Sequence, residues 1–348
     1  MPPDELLAVV KAYLRQLGRE FQAANSRLTT AYMQTIGRMN GAVRNFEQAV
    51  TRIWDDENPP TVSEIERLPE FRQLEQTTET EMNRFTAILE NEVVLLAGAA
   101  ILLGQRAARQ KTLASAGGAG AETLNKLLRT PEQRALDILI NYATGPAMQA
   151  KYAAFGPDAA KLITGGVIDG FRTGKNPRQV AREIARSALV PYAWAENMAR
   201  TVHLYSYRRS SSAFYRANSA FITGVMWWSA QDTRTCLSCW AMHGTIMSLD
   251  EEVNDHHRGR CDGLPVVRGT TWAQDVVSGP DVFKGLPEMD QRQIMRTPAM
   301  YNAWQAGAVQ FDQMTRTYQN EVYGEMRRAA SLVEILGTDA QQYYVRST

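Results

Sequence analysis

Cysteine is scarce in this chain, with three among 348 residues, and so is histidine, with four. An odd, low cysteine count excludes the disulfide scaffold of a small secreted domain and predicts synthesis in a reducing, cytoplasmic setting. Net charge is equally scant: 38 Lys and Arg stand against 37 Asp and Glu, a formal +1. No global field therefore draws the protein onto nucleic acid or anionic lipid. The most apolar stretch, Val93 to Leu103, falls well short of the about 20 residues that cross a bilayer, and predicts buried helix and no membrane contact. The opening Met1-Pro2-Pro3-Asp4-Glu5 has neither the basic flank nor the apolar core of a secretory signal. No internal repeat of about 20–50 residues is present. A chain of this length exceeds a single core and predicts two or three units.

What the chain does have is helical periodicity. From Leu7, apolar residues recur three and four apart through Val10, Leu14, Leu17, Phe21, Leu28, Tyr32, Met39, Phe46 and Val50, which predicts one helix of about 50 residues, about 75 Å long. Pro59-Pro60 ends it. A second periodic stretch runs from Phe71 to about Lys111, so two long amphipathic helices are expected to fold back as an antiparallel hairpin. Ser115 to Ala121, SAGGAGA, reads as a linker. Shorter helices follow, punctuated by Gly145-Pro146, Gly156-Pro157 and Gly174-Lys175-Asn176-Pro177. The period then changes: Ile222 to Ser229, Thr245 to Met247 and Leu264 to Val267 are short strand candidates. From about Pro287 to Leu336 the pattern returns to helix, before a polar tail. The expected organisation is mainly α: a long helical hairpin arm at 1–115, a compact helical domain at 116–221, a small β module at 222–268, and a C-terminal helical segment and tail at 269–348.

All three cysteines fall in that β module. Cys236-x-x-Cys239 can present two thiolates to one ion across a tight knuckle, Cys261 supplies a third, and His256 or His257 an imidazole. Three sulfurs and one nitrogen fill a tetrahedron and leave no position for a catalytic water, so the expected ion is a structural zinc stapling an element too small to hold its own core. His243 is a further candidate donor, more simply read as a polar residue packed on the knuckle.

Other chemistries fit less well. A zinc deaminase needs His-x-Glu upstream of Pro-Cys-x-x-Cys, whereas His203 is followed by Leu204-Tyr205 and Cys236 is preceded by Thr235. A thioredoxin-like dithiol needs a βαβ setting. Gly170 to Asn176 lacks the spacing and the Ser/Thr of a phosphate loop. Asp255-His256-His257 suggests a metal-dependent His-Asn-His-like nuclease, without the later residues that would complete one. Tyr205 to Arg216 interleaves arginines with aromatics, so Arg208, Arg209 and Arg216 are candidates for a DNA contact in a zinc-containing nucleic-acid-binding module, or form the solvated face of a helix.

The run Trp227-Trp228-Ser229-Ala230-Gln231-Asp232-Thr233-Arg234-Thr235-Cys236-x-x-Cys239, then His243-Gly244, then His256-x-x-Gly259-Arg260-Cys261 leading to Leu264-Pro265-Val266-Val267, resembles the phage Mu F-like minor head protein family. Gly174-x-Asn176-Pro177-x-x-Val180-Ala181-x-x-Ile184 and Ala199-Arg200-Thr201 are similar to the helical part preceding that motif. The resemblance spans Gly170 to Arg268. It implies Cys236, Cys239, His256 and Cys261 as the zinc ligands, with Gly259 standing where many relatives carry a further cysteine. It also implies a non-enzymatic, low-copy head morphogenesis protein near the portal, acting in assembly, packaging or ejection. The implied partners are portal protein and major capsid or scaffold subunits, and the implied locations the host cytoplasm during assembly and then the virion head.

Overall fold

The computed structural model describes residues 2–344 and is mainly helical, with two small antiparallel sheets. The C-terminal tail is described as far as Tyr344, and residues 345–348 lie outside the described residues. Helix α1 spans Asp4–Ile53. Its three- and four-residue apolar spacing places Leu6, Val10, Leu17, Ala24, Leu28, Tyr32, Met39, Phe46 and Val50 in the core. After the proline pair, Thr61 caps the short α2 (Val62–Glu66) through a capping box with Glu64. Helix α3 then runs Pro69–Ala116. By length and composition α3 is long and apolar enough to cross a membrane, with an 18-residue window of mean hydropathy 1.8 that is half buried. That window is longer than the eleven-residue run Val93 to Leu103 singled out in the sequence. Val93, Leu96, Ala100 and Leu103 are nonetheless core residues.

The chain forms two compact units, and α1, α3 and the later helix α9 (Leu189–Ala217) each contribute residues to both. One unit comprises Arg19–Ala97 and Ala143–His203. Within it, Arg38 pairs with Glu81 and Arg27 with Glu92, while Tyr32 meets Phe85 and Phe46 meets Phe71 at ring-centroid distances of 4.8 and 5.6 Å. The numbers fall along one helix as they rise along the other, which is the register of an antiparallel hairpin. Helix α7 (Pro146–Arg172) covers this pair through Phe155 on Phe85 and Phe171 on Phe46. It continues through Pro157, expected as a break, forfeiting one ladder bond. Helix α8 (Pro177–Ser187) starts at an Asn176 cap with Pro177 in its first turn. Helix α9 spans Leu189–Ala217.

The other unit holds the residues up to Gly18, Gly98–Tyr142 and everything from Leu204 onward. These divisions differ from the four segments read from the sequence, because a helix that packs along its whole length is shared among cores rather than set apart as an arm. The 115–121 linker is a corner within this unit. Gly117 and Gly118 take positive φ values of 67° and 49°. Beyond them α4 (Gly118–Leu127) is held to α3 by Arg109, whose Nη2 donates to the Asn125 carbonyl at 2.6 Å. The small helices α5 (Gln133–Asp137) and α6 (Asn141–Thr144) follow.

Strands β1 (Ile222–Trp228), β2 (Ile246–Met247) and β3 (Asp262–Val267) form an antiparallel sheet of order β2-β1-β3, with Val225 opposite Met247 and Trp227 opposite Gly263. Between β1 and β2 lies α10 (Leu237–Met242). The C-terminal part contains α11 (Gly279–Lys284), α12 (Glu288–Met295), α13 (Pro298–Gln305) and α14 (Leu332–Leu336). The sequence predicts a helical segment here, and the structure corrects it by adding a strand pair. Strands β4 (Thr315–Asn320) and β5 (Gly324–Ala329) pair as a hairpin, turned where Asn320 Oδ1 accepts from the backbone of Val322 and Tyr323 and where Gly324 has φ +73°.

Candidate metal centre

The cysteine window folds into two loops facing each other at one end of the three-stranded sheet. Cys236 caps α10, its Sγ accepting from the Cys239 backbone N–H at 3.4 Å, so one helical turn brings the two sulfurs to 3.4 Å. The opposite loop, 254–261, enters β3 at Cys261. Asp232 ties the loops together by taking Arg260 in a two-pronged ion pair at 2.7 and 2.5 Å. Arg260 holds the Asp232 carboxyl well below the usual carboxylate range, against a smaller upward push from burial.

His256 Nε2 lies 3.8 Å from Cys239 Sγ, and its Nδ1 faces the His257 carbonyl at 2.8 Å. The nitrogen on the donor side is therefore Nε2. Cys236, Cys239 and His256 bring their ligand atoms within 4.8 Å of one another. Cys261 belongs to a second, overlapping group, with Cys239 and Asp255. His257 turns its ring to Tyr323 at 5.7 Å. His243 is in neither group: its Nδ1 accepts from the Ser229 N–H at 3.1 Å, its ring lies 4.5 Å from Trp228, and burial takes its pKa down to about 4.

Charge is organised around the sulfurs. The hydrogen bond with Cys239 takes the Cys236 thiol down to about 5, while the same bond and one with Cys261 push Cys239 up. Burial raises Cys261 to about 11. Burial lowers His256, but its hydrogen bond to Cys236 and the charge of Asp255 outweigh that and lift it to about 9. A thiolate next to an imidazole and two more thiols is the donor chemistry of zinc. A tetrahedron built on Zn–S bonds of about 2.3 Å has edges of about 3.8 Å, and the Cys236–Cys239 and Cys239–His256 separations of 3.4 and 3.8 Å are of that size. Cys236, Cys239 and His256 fit the group at these separations, and Cys261 lies within 4.8 Å of Cys239. The adjoining cavity, lined by Cys236, Cys239, His256 and Cys261, is about 60 Å³, room for an ion and far below the roughly 300 Å³ at which small-molecule pockets begin.

Two sequence readings are corrected here. Arg208 is not available to DNA, because it is buried, with Nε donating to the Cys261 carbonyl at 2.8 Å and Nη2 to the Gly259 carbonyl at 2.6 Å. Arg209 and Arg216 both pair with Glu252, and Arg209 also lies over the rings of Tyr142 and Tyr205. The basic stretch is internally neutralised rather than a free surface. Asp255, read as a nuclease acid, is fully buried between Arg208 and the cysteines, and the sequence reading did not count it as a donor. Its position directly before His256 was the available signal.

Residues 161–265 match the family model described as Phage Mu protein F like protein. The matched segment begins inside α7, ends inside β3 and includes Cys236, Cys239, His256 and Cys261. The resemblance read from Gly170 to Arg268 coincides with it. No curated protein and no solved structure matches the chain.

Proposed function

With a Phage Mu protein F-like segment at residues 161–265 as the premise, we propose that this protein is a non-enzymatic component of phage head morphogenesis, low in copy number, contacting the portal and coat or scaffold subunits. The family match carries this reading. Two observations support it. The cavity against the cysteines has room for an ion and not for an organic substrate, and Asp255, the acid a nuclease would need, is buried away from solvent.

In this reading a zinc ion bound by Cys236, Cys239, His256 and Cys261 staples loops 229–245 and 248–261 to the edge of the small sheet. When bound, zinc would cross-link the two loops to each other, while the sheet they flank is packed in apolar clusters through Ile222, Val225, Trp227 and Met247 and through Met226 and Leu264. Arg208 positions the second loop by holding its two carbonyls, and Asp232 clamps it to the first.

The test is to tag the chain in the phage that encodes it and to quantify it in purified proheads and mature heads. The expected result is a small, fixed number of copies per particle, with loss of infectious yield when the gene is removed. Absence from both particle types, or an unchanged yield of filled heads without the gene, would overturn the proposal.

A further inference from the structure

We infer that Asp255 is a fifth donor to the metal of this centre, through Oδ1. The inference rests on the proposed metal reading of the site and adds a carboxylate to a set read as three sulfurs and one nitrogen.

Asp255 Oδ1 lies 3.2 Å from Cys239 Sγ and 3.4 Å from His256 Nε2, and those two atoms are 3.8 Å apart. The three ligand atoms thus form a triangle with the dimensions of one face of a coordination polyhedron whose bonds are about 2.0–2.3 Å. Cys261 Sγ lies within 4.8 Å of both Cys239 Sγ and the Asp255 carboxylate. The two donor groups therefore share Cys239 and meet across Asp255.

A carboxylate that only orients a ligating histidine takes the proton of the ring nitrogen facing away from the metal. Here that nitrogen, Nδ1, is occupied by the His257 carbonyl, and Asp255 instead faces Nε2, on the donor side. The rest of the carboxylate is fixed by the backbone. His256 N–H donates to Oδ1 at 2.8 Å and Cys261 N–H to Oδ2 at 3.2 Å, while Arg208 Nη2 stands 3.5 Å from Oδ2. Asp255 is about 1% exposed, so water cannot solvate its charge, and the nearby guanidinium alone sits at the outer limit of a hydrogen bond.

Gly259 supports the assignment independently. A Cβ built there overlaps the Asp255 carboxylate, most closely Oδ2 and Cγ, with Oδ1 2.6 Å away. Glycine at 259 keeps clear the space that the carboxylate fills, and any side chain there must push Asp255 off the donor cluster.

X-ray absorption of the full-length, zinc-loaded protein tests this without a mutation. The expected metal environment has three sulfur neighbours and two light ones, one nitrogen and one oxygen. Three sulfurs with a single light neighbour would overturn the inference. Cobalt(II) loading gives a second readout, because five-coordinate cobalt has weaker ligand-field bands than four-coordinate cobalt. Asp255→Asn and Gly259→Ala should each strengthen those bands while the thiolate-to-cobalt charge-transfer absorption stays constant. Unchanged ligand-field bands in both variants would overturn the assignment of Asp255 alone. A wild-type chain that takes up neither zinc nor cobalt would overturn the metal reading itself.

Discussion

Replacing Lys111 by methionine removes the ammonium facing Asp262 while keeping a similar side-chain length. Both groups are sealed from water, at 0% and 1% side-chain exposure. The ammonium has three N–H groups, and each has an acceptor: Asp262 Oδ1 at 2.9 Å, Oδ2 at 3.1 Å and the Gly263 carbonyl at 3.2 Å. Tyr207 and Tyr215 ring faces lie 5.3 and 5.8 Å from the nitrogen. In Lys111→Met the Asp262 carboxylate keeps, among the described residues, the Gly263 N–H and the Tyr207 hydroxyl. Removing one partner of a buried pair costs about 3–5 kcal/mol, most of it the uncompensated charge left behind. Neutralising that charge should recover part of the loss, so Lys111→Met/Asp262→Asn should be more stable than Lys111→Met. Two compact units need not unfold together, so the assay is native-state hydrogen exchange at β1 and β3 amides. A loss below about 1 kcal/mol, or a double variant no more stable than the single one, would refute the reasoning.

Three further outcomes are expected. His243 titrates near about 6.5 when unfolded and at about 4 when buried. Between these values the unfolded chain binds a proton the folded chain does not, so stability falls with pH from about 6.5 to about 4 by up to roughly 3 kcal/mol. His243→Gln should flatten that slope in urea titrations, and an unaltered slope contradicts the assignment. Gly104→Ala should cost about 1–3 kcal/mol, because its Cβ overlaps the Tyr207 carbonyl and lies 2.9 Å from Ser210 Cβ, whereas Gly98→Ala, with open space around it, should be neutral or stabilising by up to about 1 kcal/mol in thermal melts. Equal effects at the two positions would sink this. Cys239→Ser should lower exchange protection most in the loops 229–245 and 248–261 and leave amides of 19–97 unchanged, and unchanged protection in those loops would argue that they need no staple.

Local signals were legible in the sequence and non-local ones were not. The 3–4 spacing read from Leu7 to Val50 and the proline pair mark α1 and its end, since both act through the backbone of neighbouring residues, although the buried residue at its start is Leu6. Ile222–Trp228 is rich in β-branched and aromatic residues and is a strand for that reason. The β4–β5 hairpin was missed although Thr315, Thr317 and Tyr318 precede an Asn320…Gly324 turn, because its polar, half-exposed strands lack a strong period-2 apolar pattern. In the sequence Lys111 marks only the end of a periodic stretch, and Arg208 reads as a candidate DNA contact or part of a solvated helix face. Each is buried because an acceptor from a distant segment, Asp262 or the Gly259 and Cys261 carbonyls, sits opposite it. At the centre itself, Cys236 and Cys239 follow from spacing and His256 rather than His257 from the resemblance, whereas the place of Asp255 depends on the backbone turn at Arg258 and Gly259, where φ of Arg258 is +61°.

The metal content of the full-length protein, purified without added metal, bears most directly on the central claim. Elemental analysis with parallel thiol titration should find about one zinc per chain and three cysteines unreactive until a chelator removes the ion. Less than about a third of an equivalent of zinc, with all three thiols freely reactive in the folded protein, would contradict the account.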